Sequence, residues 1–305
     1  MQDVKGKTAF ITGGVSGIGL GIAKVFAKNG IKTVMSYRNE EHRTEAEAYF
    51  KARGETVHFV KLDVMDREAF ARATTETERV FGKVHILVNN AGVSVFGPTD
   101  EASYDDYDWI MGVNFGGVVN GLVSFIPSLK KHGEEGHIIN VASMAAFLPG
   151  PQAGIYTASK FAVRGLTECL RDNLAPYNIG VSLMAPALTK SNAGTSGLHR
   201  PAKFSNTKFV ADEKVLGELG KIFEHGMEPE EVGEKALRGI KRNDLYILTH
   251  PENREEFIEL NEGILAAWPN EPIPPGRAAI EEQRRAAKRE AQSKKIEIGD
   301  LSVKK

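Results

Sequence analysis

The sequence is poor in cysteine, in charge imbalance and in long apolar runs. One cysteine among 305 residues excludes an intramolecular disulfide and is typical of a reducing compartment. The 39 Lys and Arg residues balance 40 Asp and Glu, and this net charge of -1 gives no reason to expect nucleic acid or an anionic membrane as a partner. We therefore expect a cytoplasmic protein that binds small molecules.

Targeting, membrane and metal signals are also lacking. The polar stretch 1–8 leads directly into an apolar strand, unlike a signal peptide, and no apolar run approaches the roughly 18 residues of a membrane helix. The eight histidines are scattered, which predicts no metal site. Cys169 lies in an apolar-rich run and is predicted to be buried packing, not a nucleophile.

Short β-rich segments alternate with helix-like segments along most of the chain. Seven strands are predicted, over residues 8–11, 33–36, 56–60, 86–88, 137–141, 181–185 and 246–248. This alternation predicts the α/β class, as a three-layer, Rossmann-type doubly wound fold with a seven-stranded parallel sheet. Residues 1–268 are expected to form this single domain.

Two stretches depart from the alternation. Residues 187–226 have no clean period, and so long a connection predicts a substrate lid. Residues 269–305 begin with a proline-rich turn and continue as a polar C-terminal extension, which could form a helix over 278–295. The extension is interpreted as a solvated surface helix, with a subunit-interface arm as the alternative.

A glycine-rich turn, Thr12-Gly-Gly-Val-Ser-Gly-Ile-Gly19, separates the first strand from the first helix. Its glycines let the chain turn sharply and approach a pyrophosphate, which the N–H groups and dipole of a helix N-terminus attract. A tight turn without a ligand is the alternative. The turn predicts a dinucleotide cradle formed by Gly13, Val15, Ser16, Gly17, Ile18 and Gly19.

The spacing of these glycines, Gly-x3-Gly-x-Gly, differs from the Gly-x-Gly-x2-Gly of the standard dinucleotide fold. With Asn89-Asn-Ala-Gly92 and Tyr156-Thr-Ala-Ser-Lys160, it resembles the short-chain dehydrogenase/reductase family over roughly residues 5–250. The resemblance implies a nicotinamide-dependent oxidoreductase that interconverts alcohols and ketones. It also implies a homodimer or homotetramer.

Four residues match the family's catalytic set in order: Asn114, Ser143, Tyr156 and Lys160. Reducing a ketone by hydride transfer creates an alkoxide that needs a proton, and Tyr156 would supply it or remove it in the reverse direction. A nearby Lys⁺ and an oxidised nicotinamide should lower the phenol pKa from about 10. Ser143 would stabilise the oxyanion. By resemblance, Lys160 also binds the ribose and Asn114 holds a relay water.

The end of the second strand bears on cofactor choice. Tyr37 replaces the acid that selects NAD in this family, and Arg38 matches the base of NADP-preferring members. A guanidinium grips a 2′-phosphate that a carboxylate would repel, so NADP(H) is favoured over NAD(H). The alternative is that Arg38 is an ordinary surface arginine, and Ser16 stands where some NADP users carry a base before Gly17.

Further cofactor contacts follow from the resemblance. Asp63 and Val64 would contact the adenine, although Asp63 could instead serve as a turn or helix cap. Pro186-Ala-Leu-Thr-Lys-Ser191 departs from the family pattern Pro-Gly-x-Ile/Val-x-Thr but could still bind the carboxamide. The residues assigned to these contacts are Asp63, Val64, Asn90, Ala91, Gly92, Tyr156, Lys160, Pro186, Ala187, Thr189 and Ser191.

The substrate pocket is predicted to be apolar. Its expected lining is Ser94, Phe96, Met144, Phe147, Leu148 and Ile155. This lining favours a bulky, aromatic or hydrophobic ketone or secondary alcohol, although the same residues could be core packing. Four basic residues of the lid could bind an acidic substrate or face solvent: Lys190, His199, Arg200 and Lys203.

Within the family, one branch is more similar. Segments 104–109, 112–114, 200–203 and 225–230 resemble bacterial Cα-dehydrogenases, which oxidise the benzylic alcohol of lignin-type aryl ethers. Those members carry the NAD-selecting Asp that Tyr37 replaces here. An NAD-dependent benzylic alcohol dehydrogenase is therefore one alternative function. A non-catalytic dinucleotide-binding protein and an epimerase or dehydratase on the same fold are the others.

Overall fold

The computed structural model describes residues 1–209 and 220–293, in which seven parallel strands form one sheet in the order β3-β2-β1-β4-β5-β6-β7. The chain reverses its direction of winding between β1 and β4, so a crevice opens at the carboxyl ends of these two strands. The predicted doubly wound, seven-stranded sheet is confirmed. The strands are β1 Thr8–Ile11, β2 Lys32–Tyr37, β3 Val57–Lys61, β4 Ile86–Asn89, β5 Gly136–Val141, β6 Ile179–Ala185 and β7 Tyr246–Leu248.

Helices cover both faces of the sheet. Within the described residues they are α1 Gly17–Lys28, α2 Glu40–Lys51, α3 Arg67–Phe81, α4 Tyr104–Met111, α5 Gly117–Lys131, α6 Gly154–Leu174, α7 Pro229–Arg242, α8 Arg254–Ala266 and α9 Pro275–Ser293. Asn39 caps α2 by accepting from the N–H groups of Glu41 and His42, and Asp66 caps α3. Local capping thus explains where these two helices begin.

The alternation of side chains along each strand produces two separate cores. On β1, Phe10 packs on the face covered by α3 to α6, whereas Ala9 and Ile11 pack on the face covered by α1, α2 and α7. Both faces of the central strands are therefore buried, as expected of a parallel sheet between two helical layers. Apolar burial of this kind positions the strand ends that carry the site.

Helices α1 and α7 approach each other too closely for side chains at two positions. A Cβ on Gly21 would lie 2.1 Å from the Pro229 carbonyl oxygen, and one on Gly233 would lie 2.5 Å from the Gly21 carbonyl oxygen. These contacts account for glycine at both positions, and α1 itself begins at Gly17, earlier than apolar spacing indicates. Tertiary packing here outweighs the poor helix propensity of glycine.

A continuous helical stretch of 28 residues, Tyr104–Lys131, has the length and apolar composition of a membrane span. Half of its most apolar window is buried inside the protein. Trp109, Phe125 and Leu129 are fully buried in the core on one face of the sheet. The stretch therefore packs as a core helix.

The prediction that Cys169 is buried is wrong, because its side chain lies on the exposed face of α6. Val163 and Thr167 form the buried side of this helix, and Cys169 lies away from them beside Gly165 and Phe161. The apolar run around Cys169 does not reveal which helix face meets the sheet. The predicted C-terminal helix exists as α9, and its residues 275–280 and 282–290 are exposed in the single chain.

Candidate active site

Hydrogen bonds of Thr12 connect the glycine-rich turn to the segment that follows β4. Its Oγ1 accepts hydrogen bonds from the N–H groups of Asn90 at 2.8 Å and Ala91 at 2.9 Å. The Asn90 side-chain amide returns a 2.9 Å bond to the Thr12 carbonyl oxygen. Gly13 and Gly17 have φ angles of +62° and +49°, which favour glycine. The two motifs therefore form one wall of a cleft.

The N-terminus of α1 fits a dinucleotide pyrophosphate. Ser16 stands at the cap position, but its side chain makes no capping hydrogen bond, and the first turn carries no acidic residue. The N–H groups of this turn and its positive dipole end are therefore available to an anion. A Cβ on Gly17 would lie 3.1 Å from the Cβ of Ser191, so the cradle is narrow.

The structure brings most predicted cofactor-binding residues together along this cleft. Those that line it are Gly13, Val15, Ser16, Gly17, Ile18, Tyr37, Arg38, Val64, Asn90, Ala91, Gly92, Tyr156, Lys160 and Ser191. Those outside its lining are Gly19, Asp63, Pro186, Ala187 and Thr189. The cleft runs from the end of β2 to the start of α6, the extended shape that a dinucleotide requires.

Two of the outlying residues have structural roles. A Cβ on Gly19 would lie 2.2 Å from the Gly13 carbonyl oxygen, so this glycine permits close packing of α1 against the turn. Asp63 accepts from the Met65 N–H at 3.0 Å, which makes it a turn residue, the alternative anticipated for it. Its other oxygen lies 3.9 Å from the Arg38 guanidinium.

The catalytic candidates meet beneath the other end of the cleft. Ser143 follows β5, and its hydroxyl is hydrogen-bonded to the Tyr156 phenol on α6. The Lys160 ammonium lies 5.5 Å from the centre of the Tyr156 ring and donates to the Val141 carbonyl oxygen at 3.3 Å. Helical spacing of four residues places Tyr156 and Lys160 on one face of α6. These groups can deliver and accept a proton at one point.

Asn114 lies in a π-helical turn, Gly112–Gly116, between α4 and α5. Its side chain is fully buried: Oδ1 accepts from the Val93 N–H at 2.8 Å, and Nδ2 donates to the Val93 carbonyl oxygen and the Ser159 hydroxyl at 3.0 Å each. A Cβ on Gly92 would lie 3.2 Å from Asn114 Oδ1 and 3.5 Å from Lys160 Nζ. Asn114 therefore joins the loop after β4 to α6 next to Lys160. Turns of this kind are frequent at functional sites.

A buried polar chain holds α6 in register with the sheet. The Asn89 side chain of β4 donates to Asn140 of β5 at 2.8 Å, and Asn140 donates to Thr167 of α6 at 3.0 Å. The Thr167 hydroxyl in turn donates to the Val163 carbonyl oxygen of the same helix at 2.6 Å. Buried hydrogen bonds of this kind favour one arrangement, so this chain helps to fix Tyr156 relative to the strand ends, although Asn89 Oδ1 itself accepts no bond.

Burial dominates the pKa values of the catalytic pair. It raises the pKa of Tyr156 above its ordinary 10.0, an effect that the hydrogen bond with Ser143 opposes. It also lowers the pKa of Lys160 from 10.5 to about 8. The expected lowering of the phenol pKa by Lys160 is therefore not present in the protein alone. In this state the phenol is a proton donor at neutral pH.

Several lining residues were not anticipated from sequence. They are Ser36, His42, Leu62, Val113, Val141 and Ala142, whereas Val93 and the lid residues Asn192, Ala193, Ser196 and His199 lie in stretches that were predicted to line the substrate pocket. Ser36 is the penultimate residue of β2, and its hydroxyl oxygen accepts from the Gly13 N–H at 3.1 Å, a role that its position beside Tyr37 could have suggested. The others in 192–199 belong to a 3-10 helix of the lid, which has no apolar period to reveal it.

A buried ion pair between Arg200 and Asp106, called the lid latch below, joins the lid to α4. Arg200 Nη2 lies 2.7 Å from Asp106 Oδ1, and the two side chains are 8% and 0% exposed. Asp106 also accepts from Thr207 Oγ1 at 2.6 Å and from the Ser103 N–H at 2.9 Å, and Arg200 stacks on the Trp109 ring. Both expectations for Arg200, an acidic substrate or solvent, are therefore wrong.

The other three basic residues of the lid lie in different surroundings. Lys190 pairs with Glu228 on the protein surface, and Lys203 lies over the Phe204 ring. His199 lines the cleft. The predicted lid also includes residues 210–219, which lie outside the described residues, as does the end of the predicted C-terminal helix at 294–295.

The predicted substrate residues occupy different places. Ser94 lines the cleft and Phe96 is 40% exposed nearby in sequence. Met144, Phe147 and Ile155 are buried in the core, with Leu148 packed against it. Phe147 contacts the rings of Tyr246 and Phe257 and does not line the cleft. The alternative anticipated for these residues, core packing, describes the buried ones.

Metal ligation has no support in the geometry. No group of three or more His, Cys, Asp or Glu side chains arranged to hold a metal ion occurs within residues 1–209 and 220–293.

Comparison with known proteins gives the family. The family model for short chain dehydrogenase matches residues 7–200. A C alpha-dehydrogenase of Sphingobium sp. (strain NBRC 103272 / SYK-6) is 44% identical over 256 residues, which cover 84% of either chain. This relative confirms the resemblance to the Cα-dehydrogenase branch.

Solved structures agree. A short-chain dehydrogenase from Novosphingobium aromaticivorans superposes with a TM-score of 0.83 at 38% identity, covering 96% of this chain and 99% of that one. A short-chain dehydrogenase/reductase from Burkholderia phymatum in complex with NAD has a TM-score of 0.83 at 32% identity, covering 90% of this chain and 100% of that one. The cleft described above therefore belongs to a fold that holds a nicotinamide dinucleotide in a relative.

Proposed function

The chain belongs to the short-chain dehydrogenase family of oxidoreductases, and we propose that it transfers a hydride between NADP(H) and a bulky aryl secondary alcohol or ketone. The observation that carries this proposal is the hydrogen-bonded pair of Ser143 and Tyr156 beside a buried Lys160 at one end of a dinucleotide-shaped cleft. The dinucleotide supplies or accepts the hydride when it is bound.

Each catalytic side chain has one task in this proposal. The neutral Tyr156 phenol donates a proton to the oxygen of the ketone as it becomes an alkoxide, and takes it back in alcohol oxidation. The Ser143 hydroxyl donates a hydrogen bond to the same oxygen, where negative charge is greatest in the transition state. Lys160 binds the ribose hydroxyls and its charge favours the phenolate. Asn114 keeps the loop after β4 against α6.

The substrate class rests on the surroundings of Tyr156 and on one relative. Val93, Val113 and Ala142 give the cleft neutral, mostly apolar walls. Phe96, two residues after the cleft residue Ser94, is 40% exposed, and Leu198, next to His199 in the lid, is 60% exposed. An aryl group would cover such side chains. The relative named as a C alpha-dehydrogenase supports an alcohol next to an aromatic ring.

The NADP(H) preference rests on the end of β2. Arg38 lines the cleft next to Tyr37, which stands at the end of β2 in place of the carboxylate that would accept from a free 2′-hydroxyl. Asp63 stands 3.9 Å from Arg38, and both side chains are almost half exposed. A 2′-phosphate would compete with Asp63 for the guanidinium. The NAD bound in the Burkholderia relative favours the alternative, an NAD-dependent benzylic alcohol dehydrogenase.

A substrate and cofactor panel tests this function. We expect turnover of 1-aryl secondary alcohols and their ketones, a higher kcat/KM than with propan-2-ol, and a higher kcat/KM with NADPH than with NADH. Faster turnover of propan-2-ol would contradict the substrate class. A higher kcat/KM with NADH would mean that NAD(H), and not NADP(H), is the preferred cofactor. Dinucleotide binding without turnover of any carbonyl compound would indicate the non-catalytic alternative.

We further propose that the protein is a homodimer or homotetramer assembled through α5 and α6. Phe161, Gly165 and Cys169 form an exposed, uncharged strip on α6, and Val123 on α5 is 71% exposed. A Cβ on Gly165 would meet no atom within 4 Å in the single chain. Gly165→Glu should therefore leave the fold intact but reduce the mass found by light scattering. An unchanged mass would exclude this face.

A further inference from the structure

His250 joins the far edge of the sheet to the loop that follows β6. It lies two residues after β7, and its side chain is 6% exposed. Its Nδ1 accepts a hydrogen bond from the Ala187 N–H at 3.0 Å, and its Nε2 lies 2.9 Å from the Leu188 carbonyl oxygen. One imidazole therefore holds two successive residues of the loop.

The partners define the protonation of this imidazole. The Ala187 N–H can only donate, so Nδ1 must present a lone pair, and Nε2 must carry the proton that it donates to Leu188. The Thr249 hydroxyl lies 2.6 Å from Nδ1 and can donate to it as well. A neutral ring with the proton on Nε2 satisfies both loop contacts, whereas an imidazolium would oppose two N–H groups at Nδ1.

The same loop connects the catalytic serine to the lid. At its start, the Pro186 carbonyl oxygen accepts from the N–H of Met144, the residue after Ser143, at 2.9 Å. Farther on, Met227 donates to the Leu188 carbonyl oxygen, and Lys190 donates to Met227, each at 3.0 Å. The loop then reaches the cleft at its last residue. Its central peptides are thus held between Met227 and the imidazole.

We propose that His250 is a positioning residue for the nicotinamide ring. It fixes the peptides of Ala187 and Leu188, and through them the Thr189 backbone and Ser191 hydroxyl assigned to the carboxamide. This inference rests on the proposed function, because it requires the nicotinamide to lie against this loop. Hydride transfer is sensitive to displacements of about 1 Å, so a loosened loop lowers the transfer rate even though His250 touches no reacting atom.

Graded variants of His250 separate its two bonds. His250→Gln keeps a donor near the position of Nε2, and His250→Asn keeps an acceptor near the position of Nδ1. His250→Ala removes both. A matched control is His137→Asn, because His137 is 1% exposed and is bonded through Nε2 to the Ser182 hydroxyl at 2.8 Å. His137 is the second residue of β5. It therefore lies at the amino ends of the strands, whereas the cleft lies at their carboxyl ends.

Three quantities are measured on each full-length variant: the Kd for the reduced dinucleotide by its fluorescence, the primary isotope effect on kcat with cofactor deuterated at C4, and the Tm. For His250→Ala we expect a Kd about tenfold higher, a lower kcat and a larger isotope effect. The Gln and Asn variants should fall between it and the wild type. His137→Asn should lower the Tm with no change in Kd or isotope effect.

The inference is overturned if the His250 variants lower the Tm while Kd and isotope effect stay at their wild-type values. If His250→Ala does not fold, the Gln and Asn variants decide the same question. Loss of the proposed function looks different: the wild type itself would then turn over no aryl alcohol. The Kd comparison does not depend on the identity of the alcohol, so the two failures can be told apart.

Discussion

The two ends of the cleft are built differently. At the nicotinamide end, Lys160 and Asn114 are 4% and 1% exposed and hydrogen-bonded within the core. At the adenosine end, Arg38 and Asp63 have side chains that are 43% and 46% exposed and a contact of 3.9 Å. Exposed pairs of this kind contribute little stability. Under the proposed function, catalysis would depend on rigid, buried groups, and cofactor choice would depend on one exposed arginine.

Tyr156→Phe should have the largest effect, because it removes the only proposed proton donor while keeping the ring. We expect kcat to fall about a thousandfold with an unchanged Kd for the dinucleotide. Steady-state kinetics and cofactor fluorescence measure the two quantities. Tyr37→Phe is the control at the exposed end, and it should leave kcat near the wild-type value. Equal losses in both variants would break the contrast between the two ends.

Asp106→Asn should destabilise the lid latch, which is buried like the nicotinamide end. The substitution leaves the Arg200 guanidinium, 8% exposed, without its charged partner. Loss of one member of a buried pair typically lowers the free energy of unfolding by about 3 kcal/mol. Urea titration gives this value, and Asp108→Asn at an exposed position on the same helix serves as control. A change as small as that of the control would mean that the latch contributes no net stability.

Arg38→Ala should have a moderate and selective effect. We expect the KM for NADPH to rise about tenfold, since one charge-assisted bond to the 2′-phosphate is lost, while the KM for NADH hardly changes. Lys61→Ala, which removes an exposed cation paired with Glu40, is the matched control. Equal effects of Arg38→Ala on both cofactors would remove Arg38 from cofactor selection.

The burial of Lys160 at the nicotinamide end of the cleft should make the free energy of unfolding depend on pH, even with no ligand bound. Burial lowers the pKa of Lys160 to about 8, against 10.5 ordinarily. Between these values the unfolded chain binds the extra proton, so the contribution of Lys160 to the free energy of unfolding rises with pH. The free energy of unfolding of the wild type, minus that of Lys160→Met, should therefore rise from pH 8 to pH 10. A constant value over this range would contradict the lowered pKa of the buried Lys160 side chain.

Truncation after Trp268 should have the smallest effect on chemistry. Residues 275–280 and 282–290 of α9 are exposed in the single chain, and no described residue of the extension lines the cleft. We expect kcat and Kd to stay within about twofold of wild type, because no hydrogen bond of the site is lost. A large loss of kcat, with or without a smaller assembly by light scattering, would show that the extension contributes to the site.

Much of the fold could be predicted because its causes are local. The apolar strands and glycine turns follow from period and backbone conformation, and the motifs around Tyr156 stand in a recognisable order. The contacts of His250 could not be predicted, because two bonds to backbone atoms of another segment leave no pattern in sequence. The exposure of Cys169 and the burial of Arg200 likewise depend on which helix faces meet. Tertiary packing decides such positions.

The most direct test of the central claim is the oxidation of a 1-aryl secondary alcohol by wild type and Tyr156→Phe, followed by the absorbance of the reduced cofactor. We expect rapid reduction of NADP⁺ by the wild type and nearly none by the variant, with equal dinucleotide binding in both. Comparable rates in the two proteins would exclude Tyr156 as the proton carrier, since the phenol on α6 would then not be needed.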